Sequence, residues 1–170
     1  MATIDSTLVA NAVATPRVAS PVAISGARVR HQKCAFEVTA AQMVNGNIFR
    51  LARLPSNARV SSIKIGNDEL DSHGTPTVTF DVGVYDTLGT DKDSDCYATS
   101  STQLQSAAAL TELRYEAATA NVDKVEKQLW EDAGYSEDPG GMLDICLTLD
   151  AAVATAAAGT LAFIIEYTID

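Results

Sequence analysis

The chain has 170 residues and a mass of 17.9 kDa, enough for one domain with its own core. Hydrophobic residues make up 46% and charged residues 20%, which excludes a disordered chain, and aromatics are only 6%, so the core must be built mostly from Val, Ile, Leu and Ala. A formal net charge of −10 argues against a general nucleic-acid binder, and no apolar run approaches the roughly 18 residues that span a bilayer.

Residues 1–26 contain Ala, Val, Ser and Thr with Pro16, Pro21 and Gly26, and show neither a helical period nor sustained alternation. They are predicted to form an extended arm that could reach about 80 Å when stretched. The opening lacks the positive start and unbroken apolar stretch of a secretory signal, so synthesis in a cytoplasm is expected.

From residue 27 onward a single body is predicted. In RVRHQKCAFEVTA, Cys34, Phe36 and Val38 lie two apart, as on one face of a strand. Asn45-Gly46 is a hairpin signal. NIFRLARL alternates Phe49, Leu51 and Arg53 with Ile48, Arg50, Ala52 and Leu54, so this strand is expected to be covered on both sides until Pro55 ends it. ARVSSIKIG is a third strand, closed by Gly66-Asn67-Asp68, and residues 67–76 are an acidic loop. PTVTFDVGVYD has the cleanest alternation, with Val78, Phe80, Val82 and Val84 inward and Thr77, Thr79, Asp81 and Tyr85 outward.

DTLGTDKDSDC, Asp86 to Cys96, reads as a polar loop. Residues 101–119 switch to helix formers, with Leu104, Ala108, Thr111 and Tyr115 at helical spacing. Asn121 is placed as the cap of a second helix, VDKVEKQLWEDA, so a helical insertion is expected at about 101–133. MLDICLTLD is a strand with Asp144, Cys146, Thr148 and Asp150 on its polar side; AAVATAAAG is a connection and GTLAFIIEYTID the last strand. Six to eight strands joined by turns, without β–α–β alternation, predict a mainly β, antiparallel β-sandwich of jelly-roll type with a short helical insertion.

Few residues carry chemistry. Cys34, Cys96 and Cys146 are odd in number and widely spaced, which fits reduced thiols, at least two of them buried, rather than a zinc site or disulfide framework. Asp91, Asp93 and Asp95 open a D-x-D-x-D run, but Cys96 and Thr102 stand where an EF-hand loop needs Gly and Glu. His73 lies near Asp68, Glu69 and Asp71, a group that could hold a metal or simply be an acidic loop with one His. No activated nucleophile or phosphate-binding motif occurs, so neither an enzyme nor a cofactor is expected. Residues 1–64 carry eight Lys and Arg against two acids, a formal +6, and residues 65–170 carry −16. Arg17, Arg28, Arg30, Arg50 and Arg53, with Arg59, are the candidate partner contacts, able to form bidentate pairs with carboxylates on a protein surface or to be a solvated strand face.

Three stretches together resemble a family of small structural proteins of tailed bacteriophages: IFRLARLPSNARVSSIKIGNDELD, VTFDVGVYDT with the acidic segment after it, and LWEDAGYSEDPGGMLDICLTLDAAVATAAAGTLAFIIEYTID. The resemblance covers most of residues 28–170. It implies a virion protein with a β-sandwich body that binds the outside of the assembled capsid as a decoration or cement protein. The major capsid protein would be its partner, and a trimer its oligomer, with no direct contact to nucleic acid or membrane. The alternative is a neck or tail component: a head–tail adaptor, tail terminator or tail-tube protein.

Overall fold

The computed structural model describes residues 15, 16, 18, 28–115 and 125–169. Most of the predicted arm, Arg17 included, and residues 116–124 lie outside the described residues.

Eight strands form the body: β1 (Arg30–Val38), β2 (Ile48–Pro55), β3 (Arg59–Asn67), β4 (Phe80–Asp86), β5 (Asp91–Ser101), β6 (Ala108–Glu112), β7 (Met142–Leu149) and β8 (Gly159–Thr168). They make two four-stranded antiparallel sheets, ordered β1-β8-β3-β6 and β2-β7-β4-β5. The pairings β4 with β5, β3 with β6, β2 with β7 and β1 with β8 are those of one long hairpin, nested from the inside out. Rolling that hairpin up, with β3 also pairing β8 and β4 also pairing β7, gives the jelly roll that the strand count anticipated.

The core lies between the sheets and has the expected makeup. Val78, Phe80, Val82 and Val84 are fully buried, as their alternation predicts, and share one core with Leu147 and Ile145 beside them on β7 and Ile63, Ile65 and Ile165 of the other sheet. Asn45-Gly46 does form a turn, with Gly46 at φ +83°, but the strands it joins enter different sheets instead of pairing as a hairpin. On β1 the Cys34, Phe36 and Val38 face points inward in register with β8, yet only Val38 is buried, because β1 is a sheet edge. Of the three thiols, Cys34 is exposed, Cys96 partly buried and Cys146 buried, so one is fully buried where at least two were expected.

The middle of the chain departs most from expectation. Asp91–Ser101, read as mostly loop, is the outer strand β5 of its sheet. Acidic residues are compatible with an edge, where one side of the ladder meets water. Residues 101–115 are not helical beyond a single 3-10 turn, Gln103–Gln105, and Ala108–Glu112 pairs with β3 as β6. Gly66 on β3 makes room for this strand, since a Cβ there would stand 3.1 Å from the Leu110 nitrogen. Helix propensity here yields to a free sheet edge. The described α-helical part of the insertion is one turn, α1 (Leu129–Asp132), docked on the β2–β3 loop by Leu129 N–H to Ala58 O (2.7 Å) and Trp130 N–H to Ser56 O (3.0 Å). Trp130 packs against the core from there, as its stripe position predicted.

β4 and β5 meet through a break in register around Gly83, where β5 lies directly over the strand. A Cβ on Gly83 would come within 2.0 Å of the Asp93 carbonyl oxygen and 2.3 Å of the Ser94 carbonyl carbon. Both are backbone atoms and cannot swing away. Gly83→Ala is therefore expected to destabilise the fold by about 3 kcal/mol, the upper part of the usual overpacking range, as read by urea denaturation. Hydrogen exchange should localise the loosening to β4 and β5.

Candidate functional site

The topology sets the strands that carry four of the candidate arginines apart from the Asp91, Asp93 and Asp95 run of β5. β1 and β2 are edge strands of their respective sheets and lie on the same side of the sandwich. They touch across it: Gln32 Nε2 donates to the Arg53 carbonyl at 3.1 Å, and the Phe36 and Phe49 rings stand 6.4 Å apart. Arg28 and Arg30 at the start of β1, and Arg50 and Arg53 on β2, are all exposed and share this side, whereas Arg59, half-buried, opens β3, two strands in from β1. β5 and β6 form the opposite side, with Asp91, Asp93 and Asp95 on β5. Burial raises the Asp93 and Asp81 carboxyls above the usual range, and neighbouring carboxylates add to the effect.

Strict alternation would put Arg50 and Arg53 on opposite faces of β2. A bulge between Arg50 and Ala52 changes that and brings both side chains to one buried carboxylate, Asp144 of β7. Arg53 takes both oxygens, Nε to Oδ1 at 2.6 Å and a terminal nitrogen to Oδ2 at 2.8 Å. Arg50 approaches Oδ2 only to 3.8 Å. Asp144 is 1% exposed although it sits on the strand face read as polar. Beside it, burial pushes the Cys146 thiol up to about 12, and the Asp144 charge acts in the same direction. This thiol stays protonated and inert at neutral pH. Tyr85 is buried on the same face and bonds the Thr148 hydroxyl at 2.8 Å.

The Arg50 guanidinium reaches the β4–β5 turn, where a Cβ on Gly89 would be 2.9 Å from it. That turn carries Leu88, which is 88% exposed. An isolated leucine at the apex of a polar segment, DTLGT, is the sequence signal that would have found it.

In the candidate group around His73, Asp71 and His73 serve the fold. Asp71 faces inward and binds backbone amides of its own loop and of residues 154–155. His73 Nδ1 lies 2.9 Å from the Thr75 carbonyl and 3.0 Å from the Thr75 nitrogen. Among the described residues no group of three His, Cys, Asp or Glu is placed to hold a metal ion.

No protein-family model matches the sequence, and no curated protein matches it. Among solved structures, the chain is similar to one in the cyanophage Pam1 capsid asymmetric unit, with a TM-score of 0.58 and 22% identity over 100% of both chains. It is also similar to a chain in the capsid of Ralstonia phage GP4, with a TM-score of 0.61 and 24% identity over 86% of this chain and 88% of that one. The jelly roll described above is thus a fold found in phage capsids, in keeping with the resemblance carried by the three sequence stretches.

Proposed function

We propose that this protein is a structural component of a phage virion, a decoration or cement protein that binds the outside of the assembled capsid. The observation that carries the reading is the end-to-end match of fold with a chain of a phage capsid asymmetric unit. The segregated charge supports it. An acidic body keeps the free protein soluble, while the basic β1/β2 side offers Arg28, Arg30, Arg50 and Arg53 to carboxylates of the major capsid protein. Residues 1–26, with Arg17, would extend across a subunit boundary, and association as a trimer would multiply modest contacts over a symmetric lattice.

Counting copies in purified virions tests this. Hundreds of copies spread over the head are expected. A small number at one vertex would replace the reading with a neck role, and copies stacked along the tail would replace it with a tube role. Deleting residues 2–25 should leave the body folded and weaken its binding to empty heads; unchanged binding would remove the arm from the contact.

A further inference from the structure

We propose that the β4–β5 turn is a docking knob, in which Leu88 enters an apolar socket on the capsid shell and Arg50 pairs with a carboxylate at the rim of that socket. The proposal rests on the virion reading above and specifies the contact within it.

Leu88 is the most exposed of the large hydrophobic residues described, at 88%. Its exposure does not come from a loose loop. The Asp86 carboxylate accepts the Leu88 N–H at 2.9 Å and the Thr90 N–H at 2.8 Å, and Lys92 approaches the same carboxylate at 3.5 Å. Backbone bonds Gly89 N–H to Asp86 O (3.0 Å) and Asp86 N–H to Thr90 O (2.9 Å) close the turn, and Gly89 takes the positive φ of +88° that it requires. A leucine held in this way loses little freedom on docking, so nearly all of its burial would count toward affinity.

The charge beside it is also available. Two guanidiniums share one buried carboxylate, and Arg53 occupies both of its oxygens. Arg50 keeps only the 3.8 Å approach, with its side chain 51% exposed. Arg50 is therefore the guanidinium available to a partner, beside a turn that also carries Asp86, Lys92 and Asp91. Met142, 42% exposed, stands one position before Leu143, which pairs with Asp86 at the base of the turn. One rigid apolar tip with one cation suits a protein socket with an acidic rim. A lipid surface would call for a broader apolar face with several basic residues.

The test uses the full chain and purified capsid shells that lack it, comparing wild type with Leu88→Ser and Arg50→Gln. Leu88→Ser should melt as wild type does, since the side chain is 88% exposed, and bind shells about 10- to 100-fold more weakly, the range expected for losing one buried leucine. Arg50→Gln should weaken binding and flatten its dependence on salt. Equal binding by wild type and Leu88→Ser overturns the knob while leaving the virion reading in place. A wild-type protein that ignores the shells overturns both. A Leu88→Ser protein that sediments as a smaller species than wild type places the socket on a second copy of this chain and overturns the shell as occupant.

Discussion

Asp71→Ala is expected to destabilise the protein by on the order of 4 kcal/mol, because several buried backbone donors would lose their acceptor at once, each at roughly 1–3 kcal/mol before any rescue by water. The carboxylate is fully buried and accepts Thr77 N–H at 2.8 Å, Val78 N–H at 3.2 Å, Ala154 N–H at 3.1 Å and Thr155 N–H at 2.8 Å. It thereby ties the loop between β3 and β4 to the loop between β7 and β8, alongside the Asp71–Ala156 bridge and the bond from Ser72 N–H to Thr155 O. Burial alone would raise this pKa, but the amides of Thr155, Thr77, Ala154 and Val78 outweigh it and hold the group at about 2, against 3.8 for an ordinary aspartate. The stability it contributes is complete above about pH 4 and is lost as the pH falls from 3.8 toward 2. Urea denaturation of wild type across that window should show a steep decline that Asp71→Ala lacks. Asp71→Asn should fall between the two, since it keeps one acceptor oxygen and loses the charge. Parallel pH profiles for wild type and Asp71→Ala would sink this account.

Asp132→Ala is expected to cost a comparable ~3–5 kcal/mol, for a different reason: it would take a carboxylate away from a buried guanidinium. Arg114 is 1% exposed, and its terminal nitrogen lies 3.6 Å from Asp132 Oδ2. Tyr97 donates its hydroxyl to the same oxygen at 2.9 Å, and the Arg114 guanidinium stacks over the Tyr97 ring at 4.6 Å. Burial raises the Asp132 carboxyl, and the Arg114 charge and the Tyr97 hydroxyl oppose that rise. This cluster fastens α1 and the end of β6 to β5, so its loss should release the segment around α1 first. Hydrogen exchange should show that region opening well below the global unfolding free energy. Replacing both partners, Arg114→Met with Asp132→Leu, should recover much of the loss, because the buried guanidinium is removed together with the carboxylate. A double variant as unstable as Asp132→Ala would mean that packing, not the lost carboxylate–guanidinium pairing, sets the cost.

Much of the fold was legible because a strand with one buried face prints a period of two. Val78, Phe80, Val82 and Val84 were read correctly for that reason, as was the inward set Leu143, Ile145, Leu147 and Leu149. The same pattern misled where something covers the other face. Asp144 and Cys146 alternate with the apolar set and look wetted, yet Arg50 and Arg53 reach over from β2 and Tyr85 is buried beside them. The helical reading of Ala108–Glu112 failed because local propensity is worth tenths of a kcal/mol per residue, less than a place in a sheet. The candidate site was half legible. The arginines were visible as a basic first third of the chain, but their grouping, and Leu88 beside them, were not.

Composition, period and turn residues by themselves determined a β-rich acidic domain, its strands outside the middle of the chain, most of its core, and a basic first third preceding an acidic remainder. Those are properties of single residues and near neighbours. Only the tertiary structure decided that β1 and β2 lie side by side, so that arginines about twenty positions apart share one side of the molecule. Only it decided that a bulge turns two arginines toward one carboxylate, and that Asp71, Arg114 and Asp132 are interior groups. Each of these depends on pairing between residues tens of positions apart, and hydrogen-bond register and burial at that distance leave no mark in the local pattern.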